Sequence, residues 1–166
     1  MTIELPLVRA LVAVEAGERL TEAGDLDPWF GAPHEWDRLW AILYGTPALS
    51  GAMSEELLAA VHSGATASMQ GDTAAARDAH DLVRRVVLRV ALQGITTSSA
   101  RSDAGRAAAY LRGVEPLLAR VDPRATDALA SLLAVEGPLD TLAISEAATQ
   151  LAGLAGVEGS FLAVES

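Results

Sequence analysis

Five of the seven aromatic residues, Trp29, Phe30, Trp36, Trp40 and Tyr44, fall within sixteen positions, and only Tyr110 and Phe161 lie elsewhere. The remaining core must be built from Ala, Leu and Val, and alanine alone accounts for 33 residues. Small aliphatic side chains let helices approach closely, but they leave corners that only a bulky side chain fills. A bunched set of rings in such a chain is either the anchor of its packing or the lining of a binding surface.

Apolar residues recur at helical spacing almost throughout. Leu7, Leu11 and Val14, with Leu5, Val8 and Val12 beside them, form a wide stripe suited to a core-facing helix that should fray near Gly24. The segment 25–33, with Pro28, Gly31 and Pro33, reads as a loop before a second helix over about 34–44, stopped by Gly45 and Pro47. Ser54 is suited to cap a third helix that carries Leu58, Val61 and Met69 and ends at Gly71. A fourth, over about 73–94, presents Val83, Val86, Val87, Val90 and Ala91 across a broad arc, with Arg77–Asp81 and Asp81–Arg85 pairs at i,i+4. The polar run Thr96–Asp103 reads as a loop, with Ser102 or Asp103 as cap of the next helix. Gly113 and Pro116 then mark a break or kink, Asp122-Pro123 opens a sixth helix, and Gly137-Pro138 closes it and opens a seventh. Nothing alternates with period two. The pattern predicts an all-α protein: one domain over 1–166, a compact bundle of six to seven helices with the helix over about 73–94 central, and a loosely packed tail over about 153–166.

The net charge of −10 argues against nucleic acid or an anionic membrane as partner, since both require a basic footprint. Residues 1–72 hold eleven acids against three Arg, residues 73–124 five against nine, and residues 125–166 six acids and no base. A basic middle between acidic flanks is expected when the middle helices pair with the outer ones. There is no Cys, no Lys and no Asn. The first exclusion removes disulfides and thiolate chemistry; the other two fit a GC-rich, bacterial coding bias. No apolar run approaches the ~20 residues that cross a bilayer, and Met1–Pro6 does not resemble a signal peptide. A cytoplasmic protein is expected.

Trp36, Trp40 and Tyr44 recur at i, i+4 and i+8 and so are expected to share one helix face, with Trp29 and Phe30 on the loop before it. Most of these rings should act as a plug between Ala-lined helices, with Trp29 the ring to expect exposed. The alternative is a pocket for a small apolar or planar ligand. His34 and His80 each stand among carboxylates within a turn, and could meet in space. His80 aligns with Val83 and Val87, and His62 with Leu58 and Val61, as core or boundary histidines do. No Glu-x-x-His, His-Glu-x-x-His, phosphate-loop or nucleophile-elbow pattern occurs, so no metal, cofactor or catalytic residue is assigned. The functional expectation is a helical interaction protein without enzymatic chemistry, with a small-molecule binder or an enzyme of a specialised pathway as the alternative. The candidate contact residues are Trp29, Phe30, His34, Trp36, Trp40, Tyr44 and His80. A homodimer through the sixth and seventh helices is also expected, because those helices are apolar and carry few charges.

Overall fold

The computed structural model describes residues 3–46 and 55–157. Among these it contains seven helices and no strand: α1 (Glu4–Glu22), α2 (Ala32–Gly45), α3 (Glu55–Gln70), α4 (Thr73–Ala100), α5 (Ala104–Val121), α6 (Pro123–Leu133) and α7 (Thr141–Leu154). The all-α reading holds. The cap expected at Ser54 lies outside the described residues.

The chain divides into two compact units, residues 8–86 and the pairing of residues 1–7 with 87–166. The first unit, here unit 2, contains most of α1, all of α2 and α3, and the first half of α4. Its core is Ala10, Ala13, Val14, Trp36, Leu39, Leu43, Leu57, Val61, Ala76 and Val83. Trp36, Leu39 and Leu43, at i, i+3 and i+7, define the inward stripe of α2, which packs against α3. Trp40 and Tyr44 stand one step round the helix from that stripe and are therefore exposed. At its other end, α3 turns through Gly71, whose φ of +69° suits glycine, and Asp72 caps α4 by accepting from the Ala75 amide at 3.0 Å.

Unit 1 takes the first turn of α1, the second half of α4 and helices α5 to α7. Its core is Leu7, Val87, Leu88, Leu92, Ile95, Val114, Leu118, Leu129, Ile144 and Leu151. Tyr110 lies over Gly94, where an added Cβ would stand 2.5 Å from the ring. Leu7 lies over Gly113 in the same way, at 2.8 Å, and Arg112 donates to Glu4 at 2.8 Å beside it.

Three boundaries differ from expectation. The run 96–100 is helix and not loop: α4 continues to Ala100, and Thr96, Ser98 and Ser99 are buried. Ser99 extends the buried line Leu88, Leu92, Ile95, and the Thr96 hydroxyl donates back to the Gln93 carbonyl at 3.0 Å, while the buried Ser99 hydroxyl finds no partner among the described residues. The turn comes at Ser102, with φ of +58°, and Asp103 caps α5 by accepting from the Arg106 amide. Helix α5 runs unbroken through Gly113 and Pro116; the proline is exposed, so the carbonyl it leaves unpaired is open to water. Helix α6 ends at Leu133, ahead of Gly137-Pro138, and α7 starts after Asp140, whose side chain accepts from the Ala143 amide. Of the span 153–166 expected as a loose tail, Gly153 and Leu154 belong to α7 and Val157 is buried, and residues 158–166 lie outside the described residues.

Candidate functional site

The expectation that most of the five rings act as a plug, with Trp36, Trp40 and Tyr44 on one face, is corrected: only Trp36 is buried, and the segment separates into a plug, an exposed stack and an exposed loop. Trp36 is the plug, at 1% exposure. Two helix-interior glycines admit it. A Cβ on Gly17 of α1 would lie 2.9 Å from the indole nitrogen, and one on Gly64 of α3 would lie 2.3 Å from the six-membered ring. The buried indole N–H finds no acceptor among the described residues. A turn further along, the Thr21 hydroxyl donates to the Gly17 carbonyl at 2.7 Å and approaches Ser68 at 2.8 Å. Thr21 has one proton to give, so the Ser68 hydroxyl donates to it, joining α1 to α3 through a buried polar bond.

Trp40 and Tyr44 form the stack, with ring centroids 5.0 Å apart and planes within 5°. Both are solvent-exposed, as is His34 at the start of the same helix.

Trp29 and Phe30 occupy the loop, at 75% and 83% exposure. Its shape is set by two aspartates and a glycine. The Asp27 carboxylate accepts from the amides of Trp29 at 2.8 Å and Phe30 at 3.0 Å, and the Asp27 carbonyl accepts from Gly31 at 2.8 Å. The Asp25 carbonyl accepts from the Ala32 amide at 2.9 Å, while the Asp25 amide donates to Leu20 at the end of α1, also at 2.9 Å. Gly31 sits so close to this turn that a Cβ would fall 2.6 Å from the Asp25 carbonyl oxygen. Two large rings are thus held in water on a hydrogen-bonded support, an arrangement that exposes apolar area at little entropic cost on binding.

Searches of protein families, curated proteins and solved structures find no match to the chain.

Of the three histidines, His80 is buried, at 5% exposure, while His34 and His62 are exposed. The exposure of His62 corrects its expected core or boundary position: it lies on the open side of α3, in a shallow groove of about 280 Å³ shared with Ser63, Thr66, Ala67, Gln70 and Ala75. The His80 Nδ1 lies 2.5 Å from a Glu18 carboxylate oxygen. Arg77 holds the other Glu18 oxygen at 3.3 Å and also pairs with Glu22. The hydrogen bonds to Glu22 and then Glu18 raise the Arg77 pKa. Arg77 thus reaches to α1 instead of forming the expected pair with Asp81, and Asp81 faces Arg84 at 3.5 Å. Together with Glu4–Arg112, these contacts realise the expected pairing of the acidic first helix with the basic middle. Among the described residues no group of three or more His, Asp or Glu is arranged to hold a metal ion, and no helix is long and apolar enough to cross a membrane.

Sequence reasoning missed Glu18, Gly17, Gly31 and Gly64. Gly17 and Gly64 left a signal: a glycine interior to an Ala-rich helix costs about 0.5–1 kcal/mol relative to alanine, so such a position is a candidate for close approach by another group.

Proposed function

We propose that this is a helical interaction protein, without catalytic chemistry of its own, that engages a protein partner through the aromatic surface of unit 2. The observation that carries this reading is the exposure of Trp29 and Phe30 on a loop whose shape is fixed by Asp25, Asp27 and Gly31. Rigid aromatic anchors supply much of the energy of protein interfaces. The same loop offers little to a small molecule, because such sites bury about 70–90% of the ligand surface, and Trp36 is sealed between helices. The carboxylates of Asp25, Asp27 and Asp37 are exposed around the loop. The partner this surface fits is a protein with an apolar cleft rimmed by Arg or Lys.

Placing a photo-crosslinking benzoyl-phenylalanine at Phe30, in the cell that makes the protein, should trap one discrete protein adduct at neutral pH. Trp29→Ala should reduce its yield at least tenfold while leaving the helical circular dichroism unchanged. Equal adducts from a probe at the exposed Glu115 of unit 1 would overturn the reading.

A homodimer through α6 and α7 is proposed alongside, on the exposure of Val135, Leu142 and Leu154. Sedimentation equilibrium should give twice the 17.2 kDa chain mass at micromolar concentration, and Leu142→Glu should restore the monomer mass. The monomer mass for the unaltered chain rejects the dimer.

A further inference from the structure

The one buried histidine of unit 2 lies where α4 grips the end of α1, and the aromatic loop begins at that same end. We propose that Glu18 and His80 form an acid-sensitive latch that holds the C-terminal half of α1, and with it the Trp29–Phe30 loop. The latch's regulatory meaning, acid-controlled presentation of the rings, rests on the interaction reading above; the latch itself does not.

The proton positions follow from the contacts. An ionised carboxylate only accepts, so the imidazole nitrogen at 2.5 Å from Glu18 must carry a proton. Neutral His80 is then the Nδ1–H tautomer, and Nε2 is a bare acceptor. That Nε2 is buried and has no hydrogen-bond partner among the described residues. Acidification adds a proton there, creating a buried N–H with nothing to receive it. The charged groups around the ring pull both ways. From α1, Glu18 and Glu15 favour the cation; from its own helix, Asp81 at 3.8 Å favours it and Arg84 opposes it. Burial outweighs these and lowers the His80 pKa below its ordinary 6.5.

The sign follows. With the folded value depressed and the unfolded value near 6.5, the contribution to stability is complete above pH 6.5 and is lost as pH falls through the folded value. The load passes to the loop through backbone. Ala23 donates to the Arg19 carbonyl at 3.0 Å, Gly24 to Thr21 at 3.1 Å and Asp25 to Leu20 at 2.9 Å, so the loop's first residues are bonded to the last turns of α1.

The test is an NMR titration of the chain, in which His80 should titrate below the ordinary 6.5. In parallel, the unfolding equilibrium constant should rise by up to about tenfold per pH unit below pH 6.5, the limit for one linked proton. Protection of the Trp29 and Phe30 amides against hydrogen exchange should fall in the same window. His80→Asn keeps an N–H donor near the Nδ1 position but cannot titrate; it should remove this slope and the loss of protection. A His80 that titrates at or above 6.5, or a His80→Asn variant that follows the unaltered chain, overturns the latch. The wild-type titration decides the matter even if the variant does not fold. None of these readouts needs a partner, so their failure is distinct from failure of the cross-linking experiment at neutral pH.

Discussion

Replacing Trp36 with Ala should destabilise unit 2 by about 3–5 kcal/mol, the range for emptying a large buried aromatic site. The indole fills the space among α1, α2 and α3 at 1% exposure, and both helices facing it have given up a Cβ to admit it. Neither Gly17 nor Gly64 can restore contact with the void, because neither has a side chain to move. The cavity should therefore stay largely open. The complementary change, Gly64→Ala, separates two opposing effects. Helix propensity alone would stabilise by about 0.5–1 kcal/mol. The added Cβ, however, would stand 2.3–2.5 Å from three carbons of a rigid ring whose other end is held against Gly17. Overpacking of this kind costs about 1–3 kcal/mol, so the net sign should be destabilising.

A denaturant titration comparing the unaltered chain with these variants makes this decisive. Gly105→Ala serves as the reference, because its Cβ meets nothing closer than 3.9 Å and only the propensity gain should appear. Trp36→Phe shortens the ring away from Gly64, so combining it with Gly64→Ala should cost less than the two single changes added, by about 1 kcal/mol or more. Additive costs, or a Gly64→Ala chain as stabilised as Gly105→Ala, would remove Trp36 from its place as the keystone of unit 2.

These numbers also explain what could be read in the sequence. Helix identity was legible because the apolar period persists through α1, α4 and α5, and Asp72, Asp103 and Asp122 announce their caps. The ends of α4 and α6 were not. Thr96 to Ser99 look like a loop until one knows that Thr96, Ser98 and Ser99 are buried and that the Thr96 hydroxyl bonds back into the helix. The rings were half legible. An i, i+4, i+8 spacing drifts about 40° per step on a helix of 3.6 residues per turn, so Trp36, Trp40 and Tyr44 could not all share the stripe that Leu39 and Leu43 define. That arithmetic was available from residue numbers; which of the three faces inward depended on Gly17 and Gly64, two positions remote in sequence. Exposure of Trp29 was legible from its loop, whereas the ordering of that loop was not, because it depends on which amides the Asp27 carboxylate receives. The Glu18–His80 contact joins residues whose separation carries no pattern at all.

Gly31→Ala should abolish the ordered form of the aromatic loop while leaving both rings in the sequence. The backbone at Gly31 is extended, with φ of −89° and ψ of −159°, which alanine adopts without strain, so the effect must come from space alone. The added Cβ would meet the Asp25 carbonyl oxygen and side-chain oxygen at 2.6 Å and the Asp27 amide at 2.7 Å. Two of these are backbone atoms, and the Asp25 carbonyl is further held by the Ala32 amide, so they cannot swing aside as a side chain would. Relief requires breaking the Ala32 bond or lifting residues 25–27, and either move withdraws Asp27 from the Trp29 and Phe30 amides. The cost should be about 1–3 kcal/mol, and it is borne by the loop. Hydrogen exchange at Trp29 and Phe30 should accelerate at least tenfold, with the helical circular dichroism retained. If the closed loop is the binding-competent form, a fall in its population to about one-tenth weakens partner binding tenfold, even with every contact residue present. Asp27→Ala should reproduce this through loss of the acceptor, without any steric change. Unaltered exchange at both amides in the two variants would mean that the rings are held by something other than this turn, and preorganisation would no longer explain their exposure.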